Sequence, residues 1–274
     1  MFEILLNFFQ KYNIDCVSAV PLEACRIKKP YLLERHGITD GSAVIFAVPY
    51  YTRACEDDTR NLSSYAVARD YHLFFQSLFD ELIPLLKERL PQNKFAGFAD
   101  HSPIDEIHAA AIAGLGIIGK NGLLITPRYS SYVFLGALIT DCPLPCETHP
   151  IEYCEHCGAC QAVCPAKDNK ACLSSLTQKK GILSNGEQAY LRQCGSVWGC
   201  DRCQEVCPHT KKAIRDRSIY SPIPYFTEHT LPHLDTTILH AMSEEEFRAR
   251  AYAWRGRETI ERNLQLMEKG EPIC

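Results

Sequence analysis

The first thirteen residues, MFEILLNFFQKYN, set apolar positions at Phe2, Leu5, Phe8 and Phe9 among the charges of Glu3 and Lys11. That rhythm predicts an amphipathic helix and not a secretory leader with a basic front and a small-residue cleavage site. Residues 14–20 (IDCVSAV) and 43–50 (AVIFAVPY) are short continuous apolar runs, the pattern of buried strands. From about Ser64 to Leu90 the period lengthens again, and Leu73, Phe74, Leu78, Leu82, Leu85 and Leu86 make the buried stripe of a long helix. Residues 94–100 (KFAGFAD) predict a strand, 103–114 (PIDEIHAAAIAG) a helix opened by Pro103 and closed by Gly114, and 131–141 (SYVFLGALITD) a further strand. Strands alternating with helices imply an α/β layer domain over roughly 1–145.

The pattern then breaks. The proline- and cysteine-rich DCPLPCETHP (141–150) marks a boundary, and residues 151–215 predict short helices and loops organised by cysteine spacing. SPIPYFTEHTLPHLD (221–235) is an extended connector, after which Ser243 and Glu246 form a capping box opening a helix that should reach Met267. The expected organisation is an α/β domain at 1–145, a cysteine domain at 146–215, and a connector and helix at 216–274 packing back on the core. Only the cysteine motif repeats.

Composition narrows the class. Apolar residues at 46% and charged residues at 23% fit a soluble globular protein, and no window approaches the ~18 apolar residues of a membrane span. A cytoplasmic protein with no membrane partner is expected. The net charge of −4 supplies no overall attraction for nucleic acid, so any RNA would need a local basic patch. Eleven of the fifteen cysteines crowd between Cys142 and Cys207 in a chain without a leader, which favours reduced, metal-ligating thiolates over disulfides.

YCEHCGACQAVCP (153–165) places Cys154, Cys157, Cys160 and Cys164 at Cx2Cx2Cx3CP spacing, and CDRCQEVCP (200–208) adds Cys200, Cys203 and Cys207. In two-cluster ferredoxins the cysteine before proline ligates the other cluster. The crossed assignment gives Cys154, Cys157, Cys160 and Cys207 to one cluster and Cys164, Cys200 and Cys203 to the second, which is one ligand short. Cys172 and Cys194 are the local candidates for it. Zinc also accepts CxxC pairs, but it needs neither two Cys-Pro endings nor seven regularly spaced thiolates. Cys16, Cys25, Cys55 and Cys274 have no partner at ligand spacing and are expected in core or surface roles.

GLGIIGKN (114–121) matches GxGxxG and nearly a phosphate loop, but a helix precedes it and Asn121 stands where a magnesium-binding hydroxyl belongs. A nucleotide site is not expected there. Close backbone approach to a large flat or anionic cofactor is the remaining use of its glycines.

YAVARDYH (65–72), FADHSPIDE (98–106), AGLGIIGKNGLL (113–124), SYVFLGALITD, the cluster run, CLSSLTQKKG (172–181), GCDRCQEVCP (199–208) and the tail SEEEFRARAYAWRGRETIERN occur in the order of the epoxyqueuosine reductases. The chain resembles that family over most of its length. The resemblance implies a cobalamin-binding α/β domain, a ferredoxin-like domain with two [4Fe–4S] clusters, and reduction of epoxyqueuosine to queuosine in tRNA. It assigns the missing cluster ligand to Cys172, the proton donor to Asp100, and cobalamin contacts to Leu124, Leu135, Ser174 and Asp201. Arg69, Asp70, Tyr71 and His72 face either substrate or solvent. Electrons would come from a low-potential donor to a monomeric enzyme, and for Asp100 to be an acid near neutral pH, burial beside the corrin would have to raise its pKa. Many members carry a further helical-repeat domain that helps hold tRNA, whereas this chain stops at Cys274, leaving Arg255, Arg257 and Arg262 as possible RNA contacts. The alternatives are a corrinoid reductase of a small molecule and an electron-transfer module with no substrate of its own.

Overall fold

The computed structural model of the chain describes residues 1–166 and 171–268, so Cys274 lies outside the described residues. Contacts divide the chain into two interleaved units. A sheet unit takes Met1–Pro49, Tyr71–Cys157 and Lys212–Ile223; a helical unit takes Tyr50–Asp70, Gly158–Lys211 and the chain from Pro224 onward.

In the sheet unit the helices and strands expected from the apolar runs are present, together with a short helix α2 that the runs do not predict: α1 (Phe2–Lys11), β1 (Cys16–Pro21), the unexpected α2 (Pro30–His36), β2 (Ser42–Pro49), α3 (Tyr71–Arg89), β3 (Phe95–Phe98) and α4 (Glu106–Ile112). A two-residue pair, β4 (Ile117–Ile118) with β5 (Leu124–Ile125), precedes β6 (Val133–Thr140). The main sheet runs β1-β2-β6-β3. Its neighbours are all antiparallel, with Cys16 opposite Ala47, and Thr140 opposite both Ser42 and Phe95. The layering is therefore mixed α/β without parallel strand pairs in this sheet. Every residue of β2 is buried because helices cover both faces, and a strand covered twice loses the alternation that would reveal its pairing.

Its two faces are packed differently. Ala43 and Ile45 share a core with Ala109, Ala110 and Ala111 of α4, where small side chains let helix and sheet approach closely. On the opposite face Phe46 meets Phe9 of α1 at 4.5 Å and Phe75 of α3 at 5.7 Å between ring centroids. Gly136, opposite Phe46 in register, keeps that space open: a Cβ there would lie 2.4 Å from the Phe75 ring. Each fully buried phenylalanine contributes roughly 1.5–3 kcal/mol.

The helical unit contains α5 (Ala159–Ala162), α6 (Leu173–Thr177), α7 (Asn185–Cys194), α8 (Arg202–Glu205), α10 (Pro224–Thr227), α11 (Thr236–Ala241), α12 (Glu244–Arg248) and α13 (Arg257–Glu268), and the chain leaves it within α9 (Pro208–Arg215). One core gathers Leu62, Trp198, Leu234, Tyr252 and Leu264; another gathers Leu173, Leu176, Leu191 and Leu266.

Two helix boundaries differ from the sequence expectation. The long helix begins at Tyr71, because the preceding segment is tied down by other bonds around a 3-10 turn at Ser64–Ala66: Leu62 bridges Trp198, Arg69 bridges Arg250, and the Asp70 amide donates to the Ala249 carbonyl at 2.8 Å. The Ser243 capping box forms as expected, but α12 stops at Arg248, and after a single 3-10 turn at Ala253–Arg255 the α-helix resumes at Arg257, beyond Gly256 at φ 87°. The Ala249 carbonyl that would continue α12 is spent on Asp70.

Candidate functional site

Asp100 follows β3 in a loop where its own backbone is left-handed, at φ 59°. A non-glycine residue there costs energy unless its surroundings hold it, and such residues concentrate at functional loops. Here the holding groups are the two residues that open α3. The Tyr71 hydroxyl donates to the Asp100 carboxylate, and His72 Nε2 lies 3.4 Å from the same oxygen. Tyr71 is fixed in turn by stacking on Phe134 of β6 at 4.0 Å and 14°, and on His72 at 4.1 Å. So of the four residues Arg69–His72, structure brings Tyr71 and His72 to Asp100. Arg69 instead lies 4.3 Å over the Tyr225 ring in the helical unit.

Beside Asp100 is a cavity of about 400 Å³, walled by Leu124, Val133, Phe134 and Leu135 and edged by Lys28, Asp105 and Glu106. Leu124 and Leu135, thirty-five residues or fewer from Asp100 in sequence, therefore share one space with it. Leu124 is also part of the α4 core, and Leu135 packs against that core.

Two of the three carboxyl groups lining this cavity, Asp100 and Glu106, are pushed in opposite directions. Partial burial opposes ionisation of Asp100, but hydrogen bonds from His72 and Tyr71 and the charges of His72 and Lys29 outweigh it and hold the group below the usual aspartate value. The expected upward shift is thus not made by these protein groups alone. Glu106 goes the other way: burial first, then the negative charge of Asp100, raises its carboxyl to about 8. Glu106 was not singled out from the sequence, where it stands as an ordinary first-turn helix acid. The one signal was its place in FADHSPIDE, six residues after Asp100.

The glycines of GLGIIGKN serve the protein's own packing. A Cβ on Gly116 would lie 2.3 Å from the Ile125 carbonyl oxygen, and one on Gly119 2.4 Å from the Asn121 side chain. The segment also reaches the first cluster cysteine. In the Ile118↔Tyr153 bridge the Ile118 amide donates to the Glu152 carbonyl at 2.9 Å and the Cys154 amide donates to the Ile118 carbonyl at 3.1 Å, and the Lys120 amide donates to Cys154 Sγ at 3.2 Å. Such N–H···S contacts favour a thiolate and tune a metal-bound sulfur.

The chain passes between units after Cys157, inside the first cysteine run. In the helical unit, α5 with Cys160 packs against α8 with Cys203. Cys194, Cys164, Cys172 and Cys200 all act on the Tyr190 hydroxyl, whose pKa is pushed up to about 12 by burial and then by their charges. Both candidates for the eighth ligand, Cys172 and Cys194, therefore stand near Tyr190, as do Cys164 and Cys200; Cys172 is exposed. No disulfide joins the described cysteines. Among the described residues, no group of three or more His, Cys, Asp or Glu is gathered to hold a metal ion. A four-iron cluster spreads its thiolates over separate irons, and the donor type and the N–H···S contact fit that group. Away from the motif, burial raises Cys16 to about 12 and Cys25 to about 11, which keeps both as inert thiols.

Asp201 and Ser174 lie in the helical unit. The Asp201 side chain, 1% exposed, accepts from the Ser63 hydroxyl, from the Ser64 amide at 2.5 Å, from Arg60 Nη1 at 2.8 Å and from Gln204 at 3.3 Å. Its carboxylate ties the 60–64 segment to the turn after Cys200. Ser174 Oγ accepts from Gln178 at 3.3 Å and is half-buried. Sequence reasoning missed Asn263 of α13. This fully buried amide donates at 2.8 Å to both the Thr177 and Val197 carbonyls, and so holds the segment after Cys172 to the segment before Cys200.

Two architectures are thus joined on one chain: an antiparallel sheet with an acidic cavity, and a helical unit with a dense thiol set. The epoxyqueuosine reductase of Streptococcus thermophilus has the same fold, at TM-score 0.74 and 20% identity over 97% of this chain and 80% of that one. An epoxyqueuosine reductase solved with an epoxyqueuosine-modified tRNA-Tyr stem loop matches at TM-score 0.73 and 24% identity, covering 97% and 81%. By sequence, the epoxyqueuosine reductase of Listeria monocytogenes is 34% identical over 209 residues, 72% of this chain and 54% of that protein. No protein-family model matches. The chain belongs to the epoxyqueuosine reductase family, and spans about half the length of the curated relatives it matches. Among the described residues no helix is long and apolar enough to cross a membrane.

Proposed function

We propose that the chain is an oxidoreductase that uses cobalamin and two [4Fe–4S] clusters, in a ferredoxin-like helical unit, to reduce epoxyqueuosine to queuosine in tRNA. The observation that carries this is the sheet-unit cavity, where Asp100 stands beside Leu124 and Leu135, the residues that resemblance assigns to acid and corrinoid contact. A relative crystallised with an epoxyqueuosine-modified tRNA stem loop supports the substrate class. Cys154, Cys157, Cys160, Cys164, Cys172, Cys200, Cys203 and Cys207 would hold the clusters, fed by a low-potential donor. Cobalamin, when bound, supplies the low-potential centre that reduces the substrate. The apolar wall of the cavity excludes water from one side of Asp100, and Asp100 protonates the departing oxygen, which leaves far more easily as hydroxyl or water than as an alkoxide. Covering the cavity with a flat hydrophobic group strips further water from the carboxyl and raises its proton affinity. Tyr71 and His72 then connect it to solvent.

Reduction of a small molecule is the second reading, favoured by the tail arginines. Arg257 donates to the Leu239 and Met242 carbonyls, and Arg262 to those of Lys179 and Gly181, so neither guanidinium is presented as a phosphate hook.

Cobalamin titration of the iron-loaded chain, followed by visible absorbance, tests both readings. A saturable spectral change is expected, as is conversion of epoxyqueuosine-tRNA under a low-potential reductant. Asp100→Ala should lower turnover by about 1,000-fold with iron content unchanged. No spectral change would sink both enzyme readings in favour of an electron-transfer module, and corrinoid binding without any change to tRNA would favour the small-molecule reductase.

A further inference from the structure

The reduction has a proton balance that one acid does not close. Turning an epoxide into an alkene breaks two C–O bonds, forms one C=C bond and releases the oxygen as water. It consumes two electrons, delivered by a low-potential one-electron donor through the clusters, and two protons. We propose that Glu106 is the second acid of the cavity, holding in the resting protein one of the two protons that leave with the substrate oxygen. This rests on the reading of the site given above and names a residue for a step that Asp100 alone leaves open.

The geometry around Glu106 is that of a carboxyl group kept neutral. It is the first residue of α4 and lines the same cavity as Asp100. Its Oε1 is buried and has no hydrogen-bond partner. A bare carboxylate oxygen in that position forfeits its hydration with nothing in return, a cost that a bound proton removes. Helix N-termini favour anions, but the capping role here is taken by Asp105, whose side chain accepts the His108 amide at 3.1 Å. The nearby cations are also engaged elsewhere: Lys28 pairs with Asp105 at 3.5 Å, and Lys29 lies 3.1 Å from the His101 ring.

The remaining groups facing Glu106 are Asp100, which carries His72 as its own partner, and Ser102. Burial and then the Asp100 charge raise the Glu106 carboxyl to about 8, against the downward pull of the Asp100 amide, the Ser102 hydroxyl and Lys29. With Asp100 held low, the pair divides labour in the way of paired carboxyls with separated proton affinities. At neutral pH the proton already in the cavity is on Glu106, and a proton on Asp100 must enter from the solvent side, where Asp100 is exposed.

The test has two arms on the full chain. In the first, the infrared carbonyl band of a protonated carboxyl is followed from about pH 6 to about pH 10. The band should be present at neutral pH, titrate with a midpoint of about 8, vanish in the near-isosteric Glu106→Gln protein, and titrate lower in Asp100→Asn once the neighbouring charge is gone. Absence of the band at neutral pH, or its survival in Glu106→Gln, overturns the proposal. In the second arm, cobalamin- and iron-loaded Glu106→Gln should bind cobalamin as the parent does. It should turn over about 100-fold more slowly and lose the parent's decline in rate above about pH 8. Turnover at the parental rate overturns the proposal. If the parent binds cobalamin but converts no tRNA, the substrate reading fails, while the infrared arm still decides where the proton resides.

Discussion

Asp100 and Asp201 have the same side chain on opposite terms with their surroundings. Asp201 is enclosed, 1% exposed, with Arg60, Ser63, the Ser64 amide and Gln204 all donating to it. Asp100 has a side chain 59% exposed, strained backbone, and, among the described residues, Tyr71 and His72 as the hydrogen-bonding side chains at its edge. A carboxylate with its lone pairs taken can neither exchange a proton nor change partners without leaving a donor buried and unmet. One with an open side can do both. Resemblance assigns Asp100 to proton donation and Asp201 to cobalamin contact, and their surroundings differ: the Asp201 carboxylate ties the 60–64 segment beside Cys200, whereas Asp100 stands at an open cavity beside a second, oppositely perturbed acid.

The largest effect that would test this contrast is at Arg60. Arg60→Ala leaves Asp201 charged, buried and short of its ion-pair partner, at a cost of about 3–5 kcal/mol in denaturant unfolding of the full chain. Adding Asp201→Asn to that variant should recover part of the loss, because the two groups are coupled. A cost below about 1 kcal/mol for Arg60→Ala would mean that the pair behaves like a surface contact, and the distinction would fall. Asn263→Ala comes next. It leaves the Thr177 and Val197 carbonyls without their donor, at about 1–3 kcal/mol. Since those carbonyls flank the Cys172 and Cys200 segments, iron retention after anaerobic reconstitution should fall with stability. Full iron content in a destabilised Asn263→Ala protein would show that α13 supports the fold but not the thiolates.

The apolar periods carried the elements of the sheet unit well, since α1, β2, β3 and β6 each bury a face whose residues are contiguous or periodic. They did not carry the interleaving of Tyr50–Asp70 into the helical unit. That segment is held by backbone bonds to Trp198 and Ala249, by Arg60 and Ser63 on Asp201, and by single apolar anchors such as Leu62, none of which makes a period that hydropathy could show. The cysteine spacing exposed the thiol set because metal ligation requires fixed residue types. It could not decide between Cys172 and Cys194, and both lie near Tyr190. Glu106 and Asn263 were silent for a related reason: each acts through burial and unshared hydrogen bonds, and burial of a single polar side chain is a property of the folded chain.

The smallest effect isolates one hydroxyl at the open aspartate. Tyr71→Phe retains the ring that stacks on Phe134 and His72 but removes the O–H donated to Asp100. Because that bond helps hold the Asp100 carboxyl below its usual value, its loss should move the carboxyl upward, read by NMR titration of the side chain. The sign for stability follows. A depressed folded-state pKa contributes stability above the unfolded value of about 3.9 and loses it as pH falls through the folded value. Tyr71→Phe should therefore be weaker than the parent near neutral pH, by less than about 1 kcal/mol because the group is largely exposed, with the difference closing in acid. An unchanged Asp100 titration would leave His72 and Lys29 as the groups that hold the carboxylate ionised, and His72→Gln should then produce the shift.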